Sequence, residues 1–154
     1  MLAHDDFLAA TKSAFAGLAA DFGLEYIPLD AETVIYKANS FLIEVTADRF
    51  DGMSLIYYDL NKNPPRGYNI LLFLFDKRRN QLSFSHAAAT PGPSCKRNYA
   101  DNLARHLGEA GRDILAGDKA WLSGYTWPTV EYRNKLAEWE AFSVWMERQR
   151  NWNL

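Results

Sequence analysis

Four short segments of period-two polarity follow one another in this chain: Leu24 to Leu29, Thr33 to Ala38, Phe41 to Asp48 and Met53 to Leu60. They are rich in Ile, Val, Tyr and Thr, and turn residues separate them at Asp30-Ala31-Glu32, Asn39-Ser40 and Asp51-Gly52. Gaps of four residues or fewer cannot hold the dozen or so residues that a parallel crossover needs, so neighbouring strands must run antiparallel. A meander follows from that constraint alone. In the third segment Phe41, Ile43, Val45 and Ala47 alternate with Leu42, Glu44, Thr46 and Asp48, which predicts one face toward a core and the other in water.

The flanking segments have helical grammar. Phe7, Thr11, Phe15, Leu18 and Phe22 recur at steps of three and four, with Asp5 or Asp6 available as a cap and Gly23 placed to end the helix. A second helix is expected from Asn98, with the stripe Tyr99, Leu103, Leu107, Ala110 and Ile114 and a C-terminal glycine at Gly117. Thr126-Trp127-Pro128 is expected to open a final helix, since proline is tolerated in a first turn. Between sheet and second helix, Asn61 to Gly67 reads as a loop around Pro64-Pro65. The apolar run Ile70 to Phe75 suits either a buried strand or a buried helix. A strand is the expectation, paired through an Asp76 to Asn80 turn with Gln81 to Ser85; His86 to Cys95 then reads as an irregular loop. The whole is one α+β domain over residues 1–154: an N-terminal helix, an antiparallel sheet of four to six strands in meander order, and two C-terminal helices packed on the sheet.

All five tryptophans fall in the last 34 residues, at Trp121, Trp127, Trp139, Trp145 and Trp152. At about 100° per residue, Tyr132, Leu136, Trp139, Phe142, Ser143 and Met146 share one arc of the final helix. Trp127, Trp145 and Trp152 project together on nearly the opposite side, with Trp121 able to fold back over either face. That second face is either packed against the rest of the chain or offered to a partner, because tryptophan is enriched at the energetic centres of interfaces.

Several classes are disfavoured. The longest apolar run has six residues, far short of a membrane span of about 20. A net charge of −2 provides no field for gathering polyanions, so nucleic acid is not the expected partner. Met1-Leu2-Ala3-His4-Asp5-Asp6 lacks the basic and apolar regions of a secretory leader, and one cysteine cannot form an internal disulfide, so a cytoplasmic location is expected. No phosphate-cradling glycine loop, nucleophile elbow or metal-ligand spacing is present, and neither a cofactor nor a metal is expected. Lys77-Arg78-Arg79, the only basic run, reads as a solvated turn guarding a strand edge.

Two sets of polar residues remain. Glu44, Asp48, Asp51 and Asp59 come from adjacent strands and turns, where they form either a solvated sheet face or an acidic docking patch. His86, Cys95 and His106 could line a pocket, with Lys96 and Arg97 lowering the thiol pKa and His86 serving as its base. His106, at the edge of the second helix's stripe, also reads as a structural histidine.

The strand block from Leu24-Glu25-Tyr26-Ile27 through Leu60 after an N-terminal helix, with Arg112-Asp113-Ile114-Leu115-Ala116-Gly117-Asp118 closing a later helix, resembles small cytoplasmic bacterial proteins of immunity-protein type, encoded beside toxins. The resemblance covers about two-thirds of the chain and implies a non-enzymatic inhibitor of one cognate protein. Many such inhibitors are strongly acidic; this chain is nearly balanced, so its charge does not point to a basic nuclease. The leading expectation is a protein-binding module acting through the sheet face or the second tryptophan face. The alternatives are a small-ligand or enzymatic pocket between sheet and helices, and a homodimer paired through its helices.

Overall fold

The computed structural model describes residues 4–47, 53–62, 65–83, 95–131, 144–145 and 148. The order of elements is α1 (His4–Phe22), β1 (Glu25–Asp30), β2 (Thr33–Lys37), β3 (Phe41–Ala47), β4 (Met53–Asp59), β5 (Arg66–Asn69), α2 (Ile70–Lys77), α3 (Cys95–Ala110), α4 (Arg112–Leu115) and β6 (Val130–Glu131). The fold is α+β, as its segregated grammar predicts. All strand pairs are antiparallel and the sheet order is β1-β2-β3-β4-β5-β6, a meander closed by the two-residue β6.

Local chemistry sets the boundaries. α1 runs from His4, so Asp5 and Asp6 fall within it rather than ahead of it. It ends at Gly23, whose φ of 64° lets the Leu24 amide reach back to the Ala19 carbonyl at 2.9 Å. α4 stops the same way: Gly117 has φ 94°, its amide bonds Ile114 O, and the Asp118 amide bonds Asp113 O at 3.0 Å. In the β1–β2 turn the Asp30 carboxylate accepts from the Glu32 amide at 2.8 Å, the aspartate doing locally what aspartate does in turns.

Several sequence expectations fail here. The run Ile70 to Phe75 is helical, because the Asn69 side chain caps it by accepting from the Leu72 amide at 3.1 Å. Ile70, Phe73 and Leu74 are buried while Leu72 and Phe75 are exposed, the spacing of one helix face. With no strand there, Arg79–Gln81 forms a single 3-10 turn instead of opening a paired strand. The loop assigned to 61–67 gives way at Arg66 to β5. The second helix starts at Cys95, not Asn98, and breaks at Gly111 before α4.

One face of the sheet carries Val34, Tyr36, Phe41, Ile43, Val45, Leu55 and Tyr57, and α1, α3, α4 and Trp121 pack on it to form the main core. Phe15 stacks on Tyr36 at 5.2 Å and Phe41 on Tyr57 at 5.1 Å. The opposite face is not the wet surface that alternation predicts. Ile27, Ile35, Leu42 and Tyr58 form a second buried cluster there, with Leu29, Ile56 and Leu60 at its margin.

Candidate functional site

Of the four acidic candidates, the two that are described, Glu44 and Asp59, do not share a face of the sheet. Glu44 sits on the second face of the sheet, buried, with its Oε1 accepting from the Thr46 hydroxyl at 3.0 Å. Asp59 pairs in register with Phe41 and therefore belongs to the opposite face. Register parity puts the two carboxylates on opposite sides of the sheet. Asp48 and Asp51 lie outside the described residues.

Asp59 is instead the anion of a buried polar node. Lys119 donates from Nζ to Asp59 Oδ1 at 2.9 Å, to the Tyr57 hydroxyl at 3.1 Å and to the Ser40 carbonyl at 3.1 Å. The Asn61 amide gives Asp59 a further bond at 3.0 Å. Burial by itself would raise the Asp59 pKa, but the bonds from Lys119 and Asn61 and the nearby Lys62 charge outweigh it and hold the carboxyl below its usual range. For Lys119, burial works against the charge and the bonds to Asp59 and Tyr57 overcome it, so its pKa is raised. Burial raises Tyr57 despite the Lys119 bond. With Asp59 and Tyr57 enclosed, this node holds a loop, a strand end and a turn together. Sequence reading missed Lys119, since its partners lie 60 to 79 residues away and nothing local marks it.

The segment after Lys119 explains one tryptophan. Ala120–Gly124 is a 3-10 turn that drives Trp121 into the core against Tyr57 at 5.0 Å, Phe73 at 5.0 Å and Tyr68 at 5.9 Å. The Tyr125 hydroxyl then accepts from the Asn69 amide at 3.0 Å and donates to the Pro128 carbonyl at 3.2 Å, tying this segment to the start of α2. Trp121 covers the sheet.

Of the pocket candidates, only the positions of Cys95 and His106 on one helix, and the surroundings of His106, are described. His86 lies outside the described residues, and so does the Cys95 side chain. Cys95 begins α3 rather than closing a loop, and His106 lies on the same helix, about 16 Å farther along the axis at 1.5 Å per residue. His106 is buried with its ring edge-on to Phe75 at 5.6 Å. Burial and the Arg105 charge lower its pKa against the pull of Glu109, which favours the neutral imidazole. A void of about 10 Å³ between α1, α3 and the sheet is lined by Phe15, Leu18, Tyr36, Ile43, Leu107 and Leu115, all apolar at the surface they present. No polar group faces that space to orient a ligand. Among the described residues no group of three or more His, Cys, Asp or Glu side chains could hold a metal ion. None of the described helices is long and apolar enough to cross a membrane.

The basic run divides. Arg78 caps the end of α2 and grips Asp113 with both guanidinium nitrogens, at 2.6 and 2.8 Å, while also donating to the Ala110 carbonyl. It is a strut between α2 and the α3–α4 corner, and it guards no strand edge. Lys77 and Arg79 are exposed.

The tryptophan candidates also separate. Thr126 to Pro128 is not helical and leads into β6, so Trp127 does not share a helix face with Trp145. It is nonetheless 41% exposed. Val144 and Trp145 are helical and 51% and 52% exposed, and the helical Arg148 is exposed one turn on. Trp152 and Trp139 lie outside the described residues. Trp145 and Trp127 are the two tryptophans among the described residues that meet solvent. No protein-family model, curated protein or solved structure matches this chain.

Proposed function

We propose that this chain is a non-enzymatic, cytoplasmic protein-binding module of the immunity type, which holds a cognate toxin through the surface around Trp145. The observation that carries the reading is the exposure of Trp145 and Val144 side by side, 52% and 51%, with the Arg148 cation a turn away. Trp and Arg are the residues most enriched at interface hot spots, and neighbouring large apolar side chains in water are costly unless a partner covers them. A complementary partner presents an apolar pocket with a carboxylate at its rim. The apolar lining of the void between α1, α3 and the sheet supports binding over catalysis. The near-balanced charge supports recognition by apolar fit over electrostatic capture.

The test is quantitative capture from the native cytoplasm on wild-type and Trp145→Ala baits, with sedimentation of the bait alone at several concentrations. A partner retained by wild type and reduced about 30-fold in affinity by the substitution is expected, equivalent to about 2 kcal/mol. Equal retention by both baits overturns the Trp145 docking site. A captured partner that is not a toxin overturns the immunity assignment, and a bait mass that rises with concentration points to self-association instead.

A further inference from the structure

The sheet ends on one side at β1, beyond which no strand lies among the described residues. An edge strand presents unpaired N–H and C=O groups to any chain that can lie alongside it, so β1 is a template for strand addition unless something blunts it. Glu25, Pro28 and Asp30 are exposed, so this margin meets water.

The ladder decides which backbone groups face outward. The Ala38 amide bonds the Phe41 carbonyl and the Ala47 amide bonds the Glu32 carbonyl, both at 2.9 Å. Bonded and non-bonded pairs alternate along an antiparallel ladder, so Val34 and Tyr36 also turn their backbone groups toward β3. Ile35 and Lys37 turn theirs toward β1, where they meet Ile27 and Glu25. Tyr26 and Pro28 are left with their backbone groups aimed away from the sheet. Proline has no N–H, so up to Pro28 the Tyr26 amide is the only outward donor. Beyond it the register skips Leu29, since Pro28 faces Val34 and Asp30 faces Thr33. A bulge of this kind bends and twists the strand end away from the line that a partner strand would follow.

Two copies laid antiparallel about Ile27 would set Tyr26 of each against Pro28 of the other. Such a pair exchanges an N–H from each member for a carbonyl of the other. With proline at position 28 half of those bonds are missing, and the pyrrolidine ring stands where the donor would be. We infer that Pro28, with the bulge at Leu29, closes β1 against strand addition, and that Pro28→Val opens this edge to a second copy of the chain. Tyr26, Ile27 and Leu29 supply the apolar, strand-favouring side chains that make an open edge adhesive. With the edge closed, any partner is recognised through side chains and not by lending the sheet another strand. The inference concerns the backbone of β1 alone and stands whether or not Trp145 docks a partner.

The test is amide hydrogen exchange by NMR, with sedimentation velocity over a tenfold range of concentration, on the full-length wild type and Pro28→Val. In dilute wild type the Tyr26 amide is expected to exchange about 100-fold faster than the Ile27 amide, which β2 holds. In Pro28→Val the mass should climb toward twice that of the monomer as concentration rises, with the Tyr26 amide slowing in step. If the far-UV spectrum of Pro28→Val departs from wild type, Pro28→Thr takes its place. A Tyr26 amide as slow as that of Ile27 in dilute wild type overturns the inference. So does a position-28 variant that stays monomeric, or one that associates while its Tyr26 amide remains fast. Failure of Trp145→Ala to weaken capture changes none of these readouts, so the two proposals fail separately.

Discussion

Replacing Lys119 by Met removes the cation from the node beneath the sheet end while keeping most of its aliphatic stem. Asp59, 4% exposed at its side chain, would keep the Asn61 amide and lose its only direct ion pair among the described residues; the Tyr57 hydroxyl and Ser40 carbonyl would each lose a donor. Breaking a fully buried pair by removing one partner costs about 3–5 kcal/mol. Lys119 is 27% exposed, so water can enter behind the truncated side chain, and we expect about 2–3 kcal/mol. Urea denaturation followed by linear extrapolation measures it, and the melting temperature should drop by about 5–10 °C. The pH dependence carries the sign. Asp59 titrates below its ordinary 3.8 in the folded chain, so its contribution is complete above that value and is lost as pH falls through the folded pKa. Lys119 is raised above its ordinary 10.5, so its contribution holds below that value and is lost only in stronger alkali. The gap between wild type and variant should therefore be full and flat from about pH 6 to pH 9 and shrink below about pH 4. Asp59→Asn should cost less in the Lys119→Met background than in wild type, with a coupling of about 1.5 kcal/mol. A gap under about 0.5 kcal/mol at pH 7, or one as large at pH 3 as at pH 7, would refute the assignment of this node.

Gly117→Ala should cost about 1 kcal/mol in urea denaturation, because φ 94° places a Cβ in the left-handed region; a cost near zero would contradict the helix-ending geometry. Arg78→Lys should lose about 1 kcal/mol despite keeping the charge, since an ammonium cannot reproduce the two-pronged grip on Asp113 while also reaching Ala110 O. Equal stability of Arg78→Lys and wild type would show the contact to be a solvated charge pair. Burial and Arg105 lower the His106 pKa, so NMR titration of its ring should find an apparent value below the usual 6.5. A value at or above it would contradict the buried environment.

The first four strands are legible in the sequence to within a residue or two because short alternating segments with tight turns allow one topology. Gly23 and Gly117 are legible for a comparable reason: glycine at the end of an apolar stripe is the residue that a left-handed cap requires. The Ile70 to Phe75 run escaped because its periodicity is mute, and the deciding residue, the Asn69 cap, lies just outside it. β5 and β6 are short strands whose pairing depends on residues 65 positions apart, such as Arg66 and Glu131. The buried second face was hidden by Glu44 and Thr46, whose polarity reads as a wet surface although they bond each other. For the site, helical projection puts Trp127 and Trp145 on one helix face, whereas Trp127 lies in a non-helical segment; Trp145 is helical and 52% exposed. His86, Cys95 and His106 are grouped by chemistry alone, which carries no distance, and His86 lies outside the described residues. Lys119 has no local signature, because its function in the fold is defined wholly by distant partners.

The division between a buried sheet face and an outward tryptophan is tested most directly by urea unfolding of Leu42→Ala and Trp145→Ala beside wild type. Leu42 is 1% exposed and Trp145 52%. Leu42→Ala should lose about 2–4 kcal/mol through the cavity it leaves, while Trp145→Ala should stay within about 0.5 kcal/mol of wild type. Loss of stability in Trp145→Ala with Leu42→Ala unaffected would contradict the account.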